Sequence, residues 1–501
     1  MKKLVLSTIA VFLAMILNAQ ISVWDGTAEP WTHGNGTQED PYLIENARQL
    51  AYLAVVTNEL HYGNYDFHNM YVDTCFLLTV DLDLGGNDGL EWVPVAQDGV
   101  SLQTRCFGGN FDGGGHMISN MNLKDGEGRK YMGLFGHVKE GSIKNITIVG
   151  NNIDVPDFGL SGISAGLGNI IGYGEKMVVE NCKNNVDLIC EYAHFEMGGS
   201  FGGLFGRMIN STITDCQNYG NMEVREVVAY YGGLHFGGIC GQAYDCEINN
   251  CSNNGGIFVQ SASVNNPDMM SCGGVSGFMS GAITYCYNTG DIDMVIADGA
   301  DGSAAATGGL VGSTMAENGL SVTNSYSSSD MAITGDGMSV FIGGVIGYVF
   351  DDAEASVTNS YYLNVIESIN GYGIPKSENE MQSQSFVNLL NDGSNVYAMD
   401  DMYMNHGYPI FAQYYSAEEN LTDNVVSVYP NPAKNIINIS FSDDADCNSI
   451  EVYSLDGRLV ETCHDTSIQT VIDLSFLNAG VYVIKLKMSD GEEFSKRIVK
   501  E

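Results

Sequence analysis

One unit of sequence recurs about every 35 residues through the middle of the chain. Seven short strings end in glycine, and successive closing glycines lie 36, 34, 35, 36, 35 and 35 residues apart. The strings are Met132–Gly136, Gly168–Gly172, Gly202–Gly206, Gly237–Gly241, Gly273–Gly277, Gly308–Gly312 and Gly343–Gly347. A fixed period of this length is typical of a solenoid, in which each repeat forms one coil and stacks on its neighbours.

A second register of the same period has Ile or Val three residues before a Cys or Ser. Examples are Ile213–Cys216, Ile248–Cys251, Ile283–Cys286, Val322–Ser325 and Val357–Ser360. Short runs rich in β-branched residues are typical of strands with one buried face, and neither register has helical spacing. We therefore predict an all-β protein: a right-handed parallel β-solenoid (β-helix) of about 35-residue repeats with short helical caps, plus a small C-terminal antiparallel β-sandwich.

Equal steps place equivalent residues one above another on parallel strands about 4.8 Å apart. The predicted core has an aliphatic ladder of Leu134, Ile170, Leu204, Ile239, Val275, Leu310 and Val345. A second ladder consists of Cys182, Cys216, Cys251, Cys286, Ser325 and Ser360. Packing is favoured over a metal or redox role for these thiols, because buried Cys behaves as a small apolar residue and Ser replaces it further along. The repeat glycines are expected at corners with positive φ, or where neighbouring coils leave no room for a Cβ.

The ends of a solenoid need covering. Apolar residues at helical spacing predict one short helix at Glu45–Thr57, against the first coil, and another at Glu378–Leu390. The segment Asn405–Phe411 is expected to form a final strand that closes the stack. Cys75 with Cys106, and Cys447 with Cys463, are candidate disulfides whose pairing the sequence does not decide.

The N-terminus predicts export. Residues 1–19 carry Lys2 and Lys3, then an apolar stretch, and end in Leu17-Asn18-Ala19, the pattern of a cleaved secretory signal peptide. The apolar stretch is too short for a transmembrane helix, and no later segment approaches about 20 apolar residues.

The charge balance restricts the partners. The chain has 61 Asp and Glu against 21 Lys and Arg, a net charge of −40, which excludes an electrostatic nucleic-acid binder. Between Arg225 and Lys376, 150 residues hold 15 acidic residues and no Lys or Arg. Such a surface would repel an acidic polysaccharide, so any glycan partner is expected to be neutral, cationic or bridged by Ca²⁺.

The repeated strings resemble those of GLUG-motif proteins, a family of bacterial surface proteins. Tyr285–Gly290 is a close version of the family's Asn-Cys-Tyr-Asn-Thr-Gly strand, with Tyr285 in place of the first Asn. Phe107–His116, Leu78–Leu84 and Gly34–Ile44 resemble the opening coils and the mature start of such proteins. The resemblance covers about residues 22–412 and implies an adhesin-like protein that binds a host, matrix or glycan partner.

The C-terminal residues resemble a different family. The strings Val428–Ala433, Ile450–Val460, Leu474–Ile484 and Lys496–Lys500 are similar to the type A C-terminal sorting domain of the type IX secretion system. The resemblance implies a Bacteroidetes-type bacterium, the secretion machinery as a partner, and a secreted or outer-membrane-anchored protein. Independently, Asp456-Gly457 between alternating apolar strands indicates a hairpin.

Together these observations predict five segments. They are a signal peptide at 1–19, an N-terminal cap and first coils at 20–130, GLUG-type repeats at 131–365, a C-terminal solenoid cap and linker at 366–424, and the sorting domain at 425–501.

The sequence assigns no catalytic, cofactor-binding or metal-binding residue. Gly162–Gly166 fits the nucleophile-elbow pattern, but its surroundings lack the required strand and helix. A glycosidase needs two carboxylates, and the candidates favoured as solvated loop charges are Asp291, Asp293, Asp298, Asp301, Asp351 and Asp352. Ca²⁺ binding by Asp81–Asp88 or Asp291–Gly302 is likewise the less favoured alternative. Exposed tyrosines, for example Tyr230, Tyr231, Tyr287 and Tyr362, could stack on sugars or pack against a protein partner, although ordinary strand packing explains most of the 27 tyrosines.

The favoured function is therefore non-catalytic binding at the cell surface or after secretion. The alternatives are a glycan-degrading enzyme built on a β-helix and a passive surface-layer component.

Overall fold

The computed structural model describes most of the chain. The described residues are 21–58, 68–97, 105–123, 130–155, 158–160, 165–264, 269–297, 304–315, 319–335, 339–350, 353–365, 370–400, 405–413, 426–429, 434, 436–441, 447–454, 459–463, 469–475, 477, 480–488 and 493–500. The predicted signal peptide lies outside them. The chain divides into two compact units, one ending at Ser377 and the other beginning at Glu378.

The first unit is a β-solenoid of about eight turns. Its described strands pair in parallel and form three sheets, here called A, B and C. Sheet A contains Ser22–Val23, Leu82–Asp83, Met117–Ser119, Thr147–Val149, Lys183–Asn184, Gln217–Asn218, Ser252–Asn253, Tyr287–Asn288, Tyr326–Ser327, Tyr361–Leu363 and Ile374–Lys376. Sheet B contains Tyr42–Ile44, His68–Met70, Cys75–Leu78, Arg105–Phe107, Asn110–Asp112, Phe135–Lys139, Ser142–Lys144, Ile171–Glu175, Val178–Glu180, Phe205–Ile209, Thr212–Thr214, Cys240–Asn249, Ser276–Thr284, Val311–Thr314, Leu320–Thr323, Ile346–Val349 and Ala355–Thr358. Sheet C contains Tyr131–Met132, Ile153–Val155, Phe158–Leu160, Ala165–Gly168, Leu188–Cys190, Ala193–Gly202, Met222–Gly237, Ile257–Val264, Met270–Gly273, Ile292–Val295, Ala304–Gly308, Met331–Thr334 and Ser339–Gly343.

The register between coils follows the sequence repeat. In sheet B, Ile213 pairs with Ile248, Ile248 with Ile283, and Ile283 with Val322. The predicted parallel β-solenoid is confirmed.

Both predicted ladders lie in the core. All seven aliphatic residues from Leu134 to Val345 are fully buried, and so are the four ladder cysteines. Burial raises the pKa of the Cys182 and Cys251 thiols, because a thiolate there would lose its hydration. A buried thiol with a raised pKa is a weak nucleophile, which fits the predicted packing role of Cys182 and Cys251. Cys75 carries a thiol, so the candidate disulfide with Cys106 is not formed.

The corners with positive φ are not at the repeat glycines. One column of such corners falls on the residue just before each Cys or Ser of the second register, where φ is 48–56° at Asn181, Asp215, Asn250, Tyr285, Asn324 and Asn359, and Asn145, before Ile146, has φ 57°. Asn and Asp adopt this left-handed conformation more readily than other non-glycine residues. Of the two predicted explanations for the repeat glycines, only the lack of room for a Cβ is therefore confirmed.

Five buried asparagines form a ladder through the core along sheet A. We call it the asparagine ladder, and its members are Asn169, Asn184, Asn218, Asn253 and Asn288. Each amide nitrogen donates to the side-chain oxygen of the next asparagine, at 2.7–2.9 Å. From Asn184 onward, each also donates to the backbone carbonyl two residues ahead, at 2.8–3.0 Å. All five residues are 0–1% exposed, and these bonds satisfy amide groups that would otherwise be costly to bury. Asn169 Oδ1, at one end of the ladder, has no hydrogen-bond partner among the described residues.

The double glycines of the repeat lie directly against this ladder. A Cβ added at Gly238 would lie 2.1 Å from Cγ of Asn253, and one at Gly274 would lie 2.1 Å from Cγ of Asn288. The closing glycine has a different neighbour, since a Cβ at Gly241 would lie 2.4 Å from the backbone nitrogen of Phe201. The glycines thus permit the close approach of one coil to the next.

The predicted N-terminal helix is confirmed at Ala47–Asn58. Leu50 and Leu53 are fully buried and belong to the same hydrophobic cluster as the coils. At its start, Asn46 Oδ1 accepts from the Gln49 backbone at 3.0 Å, and Gln49 Oε1 accepts from the Glu45 backbone at 2.7 Å. These bonds satisfy amide groups at the helix N-terminus.

The second unit begins with helices Glu378–Met381 and Gln384–Asn391, where a helix was predicted. The predicted final strand exists as Ile410–Phe411, but it pairs antiparallel with Tyr397–Ala398. Its role in closing the stack stays a prediction, and the pairing places the strand within the second unit. The chain turns back at 405–408 and brings it onto a strand of its own unit.

The predicted C-terminal β-sandwich is confirmed. One antiparallel sheet contains Val426–Tyr429, Ile436–Phe441 and Gln469–Asp473, and the other contains Cys447–Ser454, Leu459–Cys463, Gly480–Met488 and Glu493–Lys500. Both sheets contribute to one buried cluster, for example through Ile439 and Ile484. Asp456 and Gly457 lie outside the described residues, although the strands on either side pair as a hairpin. Cys463 pairs with Ile450, and its disulfide with Cys447 stays a prediction.

Replacing Asn253 by Ala tests the asparagine ladder. The change removes the partners of Asn218, Asn288 and the Gly255 carbonyl, so the free energy of unfolding should fall by about 3 kcal/mol. Urea unfolding of the two proteins measures the difference. Asn185→Ala, at an exposed position, should cost no more than about 0.5 kcal/mol. Equal losses for the two variants would contradict the ladder's role.

Gly238→Ala tests the close approach of the coils. The new methyl group would overlap Asn253 and the Gly274 carbonyl, so we expect a loss of about 3 kcal/mol or failure to fold. Gly256→Ala is the matched control, because a Cβ there meets no atom closer than 3.4 Å. Thermal unfolding should separate the two variants. A Gly238→Ala protein as stable as Gly256→Ala would refute the packing argument.

Candidate functional site

Two of the six carboxylates predicted as alternatives for catalysis lie among the described residues. Asp291 and Asp293 are exposed at the start of a strand of sheet C. The Asp291 carboxylate accepts the backbone N–H of Asp330 in the next coil at 2.9 Å. Asp298, Asp301, Asp351 and Asp352 lie outside the described residues.

The nucleophile-elbow match has the wrong structure around it. Residues 161–164 lie outside the described residues, and the rest of the string enters the strand Ala165–Gly168. A nucleophile elbow is followed by a helix. The interpretation of Gly162–Gly166 as a chance match is therefore retained.

The first acidic tract uses its carboxylates to brace neighbouring coils. Asp81 Oδ1 contacts His116 Nδ1 and the Met117 backbone nitrogen, both at 3.0 Å. Asp83 accepts from the Gly85 backbone at 2.8 Å and from Asn120 Nδ2 at 2.9 Å. Among the described residues, no group of three or more His, Cys, Asp or Glu is arranged to hold a metal ion.

Two of the tyrosines expected at the surface are buried. Tyr287 is 3% exposed and Tyr362 is 8% exposed, so the expectation of stacking platforms there is wrong. Tyr287 stacks on Tyr326 with ring centroids 5.2 Å apart, because equivalent positions of successive coils coincide. The side chains of Tyr230 and Tyr231 lie outside the described residues.

A cluster of titratable and aromatic side chains lies at the seam between sheets B and C. In sheet B, His137 pairs with Tyr173 and Tyr173 with Arg207. The Tyr173 ring lies 4.6 Å from the His137 ring and 4.8 Å from the Tyr131 ring, and Arg207 Cζ lies 5.8 Å from its centroid. Sequence analysis missed this cluster, although its sheet B members all follow a closing glycine.

The chemistry of this seam is that of a packed core. His137 is 3% exposed, and neither ring nitrogen has a hydrogen-bond partner among the described residues. Burial, with a smaller effect of Lys139 and Lys130, lowers the pKa of His137 to about 3. An imidazole with this pKa is neutral at pH 7 and too weak a base for general-base catalysis.

A groove on the solenoid has the composition of a ligand-binding site. We call it the Tyr372 groove, and it encloses about 540 Å³, within the range of small-molecule sites. Its lining residues are Gly281, Gly319, Leu320, Ser321, Ala353, Glu354, Ala355, Ser356 and Tyr372. Sequence analysis missed it, because most of these residues are small and lie in three different coils.

The coil stack positions the groove. Gly281 N–H donates to the Gly319 carbonyl and Leu320 N–H donates to the Glu354 carbonyl, both at 2.9 Å. Ser321 and Ser356 are register partners in sheet B. Gly281 has φ 110°, and an added Cβ would lie 2.2 Å from the Cys246 carbonyl oxygen, so any other residue here would clash with the preceding coil.

Tyr372 supplies the aromatic side of the groove. Its ring is partly buried against the hydrophobic core. Its backbone nitrogen donates to Asn370 Oδ1 at 3.2 Å, which helps to fix the short connection before the strand Ile374–Lys376.

The polar groups of the groove suit binding better than catalysis. Glu354 is the sole charged residue among the described residues that line it, whereas glycoside hydrolysis generally uses two carboxylates. Two serine hydroxyls and one carboxylate can exchange hydrogen bonds with a polyol. An aromatic ring can pack against the C–H face of a sugar.

The buried histidine predicts acid sensitivity. The folded-state pKa of His137, about 3, lies below the usual 6.5. Between these two pH values, His137 is therefore protonated in the unfolded chain and neutral in the folded chain. Stability should therefore fall as the pH drops from about 6.5 towards 3, by about 1 kcal/mol per pH unit from this residue. His137→Gln should remove that part of the slope in urea unfolding at several pH values, whereas His406→Gln, at an exposed position, should keep it. Equal slopes for wild type and His137→Gln would contradict the assignment.

The family comparison matches residues 427–501 to the secretion system C-terminal sorting domain. Halomucin of Haloquadratum walsbyi is 33% identical over 153 residues, which is 29% of this chain and 2% of Halomucin. A protein of Evansella cellulosilytica named as a Gly-rich membrane protein is 33% identical over 135 residues, 27% of this chain and 14% of that protein. This chain therefore spans a small part of both relatives.

The sorting domain determines where the protein goes. A type IX secretion C-terminal domain marks an exported protein that is secreted or attached to the cell surface. No helix among the described residues is long and apolar enough to cross a membrane. The chain is thus an exported β-solenoid with a type IX secretion sorting domain.

Proposed function

We propose that this chain is a non-catalytic, adhesin-like surface protein that binds neutral glycans through the Tyr372 groove. The observation that carries the proposal is the composition of that groove, with one aromatic ring, two serines, a glycine-lined floor and a single carboxylate. The resemblance of the repeats to GLUG-motif surface proteins supports the same function. We also propose that residues 131–365 act as the binding repeats and 425–501 as the sorting domain of a Bacteroidetes-type bacterium.

The charge distribution supports a neutral ligand. The groove belongs to the 150-residue stretch between Arg225 and Lys376 that has no Lys or Arg. An acidic sugar entering it would meet Glu354 without any lining cation, and desolvating unpaired like charges is unfavourable. A neutral polyol can use the same carboxylate as a hydrogen-bond acceptor.

Binding of the purified mature chain, residues 20–501, to arrays of neutral glycans, acidic glycans and matrix proteins tests the proposal. We expect neutral glycans to bind, with an affinity that changes little between low and high salt, because no charge pair forms. Tyr372→Ala should weaken binding about 10-fold. Tyr192→Ala, at a tyrosine that is 36% exposed between two strands of sheet C, should leave binding unchanged.

Three outcomes would contradict this function. The first is that no neutral glycan binds, as expected for a passive surface-layer component. The second is that Tyr372→Ala binds as wild type. The third is sugar release that Glu354→Gln abolishes, which would favour the glycan-degrading enzyme instead.

A further inference from the structure

A second cavity lies entirely within the second unit. It encloses about 500 Å³ between the helix Gln384–Asn391 and the chain segment 393–399. We call it the amide pocket and define it by Gln384, Val387, Asn388, Ser394, Asn395 and Tyr397. Its volume is that of small-molecule sites, and nothing in the proposed function uses it.

The walls of the amide pocket are fixed by internal hydrogen bonds. Asn391 Oδ1 accepts from the backbone nitrogens of Val396 and Tyr397 at 3.0 and 2.7 Å, and its Nδ2 donates to the Tyr397 carbonyl at 2.9 Å. The Tyr397 ring stacks on Phe411 with centroids 5.5 Å apart. The segment after the helix is therefore held in place without a ligand, which reduces the ordering cost of binding.

The pocket also has space at its glycine. Gly393 has φ 87°, and a Cβ added there would meet no atom within 4 Å. The left-handed conformation follows Asp392, which has φ 44° and ends the helix. The cavity is thus open to solvent on the side where the helix ends.

The polar lining consists of amides and a hydroxyl. Gln384 Nε2 donates to Asn388 Oδ1 at 3.1 Å, which orients both side chains. The Gln384 oxygen, the remaining amide protons, Asn395 and Ser394 provide both acceptors and donors, and these residues, like Asn388, are all exposed. Val387 and Tyr397, which are 2% and 1% exposed, add an apolar floor.

No lining residue described for this pocket carries a charge. A charged ligand would lose hydration there without gaining a counter-ion. Adjacent hydroxyls of a sugar, in contrast, match the paired donor and acceptor of amide side chains, and the sugar's C–H groups match the apolar floor. The geometry points to a neutral pyranose as the occupant of the amide pocket.

This inference goes beyond the proposed function, because it concerns a different unit and does not require the Tyr372 groove. Saturation-transfer NMR of the full mature chain with methyl glucoside, methyl mannoside, methyl galactoside, N-acetylglucosamine and glucuronate tests it. At least one neutral sugar should bind. Asn388→Trp, which fills the pocket, should weaken that binding about 10-fold or more.

The matched control is Ser385→Trp. Ser385 is an exposed residue of the same helix that does not line the pocket, and this variant should bind as wild type. Circular dichroism of the two tryptophan variants checks that both helices are folded. Tyr372→Ala should also leave this binding intact, so the two sites fail or succeed separately.

The inference is overturned if no neutral sugar binds, if Asn388→Trp binds as wild type, or if glucuronate binds as well as the neutral sugars. If Tyr372→Ala loses monosaccharide binding and Asn388→Trp keeps it, the sugar binds in the Tyr372 groove. That result would also contradict sugar binding in the amide pocket.

Discussion

The close stacking of one coil on the next is the constraint on which the rest of the first unit depends. At Gly238, the Cβ that any other residue would add lies 2.3 Å from the Gly274 carbonyl oxygen of the following coil and 2.1 Å from the Asn253 side chain of its own coil. The asparagines in turn donate to each other at 2.7–2.9 Å along the stack. Glycine pairs and asparagines therefore form a single packing unit, although they stand about 15 residues apart in the sequence.

This packing explains why some positions of the repeat vary from coil to coil whereas their neighbours do not. In the column that follows the closing glycines, His137, Tyr173, Arg207 and Gln242 are register partners. The position just before this column is glycine in all four coils, as Gly136, Gly172, Gly206 and Gly241. Each repeat thus has positions that are the same in every coil, because packing requires them, and positions whose side chains differ between coils. The proposed binding groove is formed by positions of the second kind.

The coil period, both ladders and the N-terminal helix could be predicted from the sequence, because each depends on residues in one coil and their copies at a fixed distance. Leu134 and Cys182 are examples, since their burial follows from periodicity alone. The sorting domain was also predictable, because its ordered strings are distinctive.

The candidate site was less predictable for a physical reason. Gly281, Glu354 and Tyr372 come from three stretches of chain, and no local spacing reveals that they meet. Tyr287 shows the opposite error. It was named among tyrosines that could be exposed, but coil stacking buries it against Tyr326. Similarly, the strand Ile410–Phe411 was anticipated, whereas its antiparallel partner Tyr397–Ala398 was not.

The second unit contains the domain that directs export, and the first unit contains the proposed binding site. The C-terminal β-sandwich matches the sorting domain and accounts for export, while the solenoid provides a rigid, regularly spaced surface. The acidity of the chain then restricts what that surface can hold. Between Arg225 and Lys376 no cation is present, so recognition there relies on hydroxyls, carbonyls and aromatic rings.

Hydrogen–deuterium exchange of the mature chain, with and without a neutral oligosaccharide that binds it, shows whether the Tyr372 groove is the binding site. We expect slower exchange on binding in segments 319–322, 353–358 and 370–376, with the buried strands of the solenoid unchanged. Slower exchange confined to another face of the solenoid, or none within it, would contradict the claim that the Tyr372 groove is the binding site.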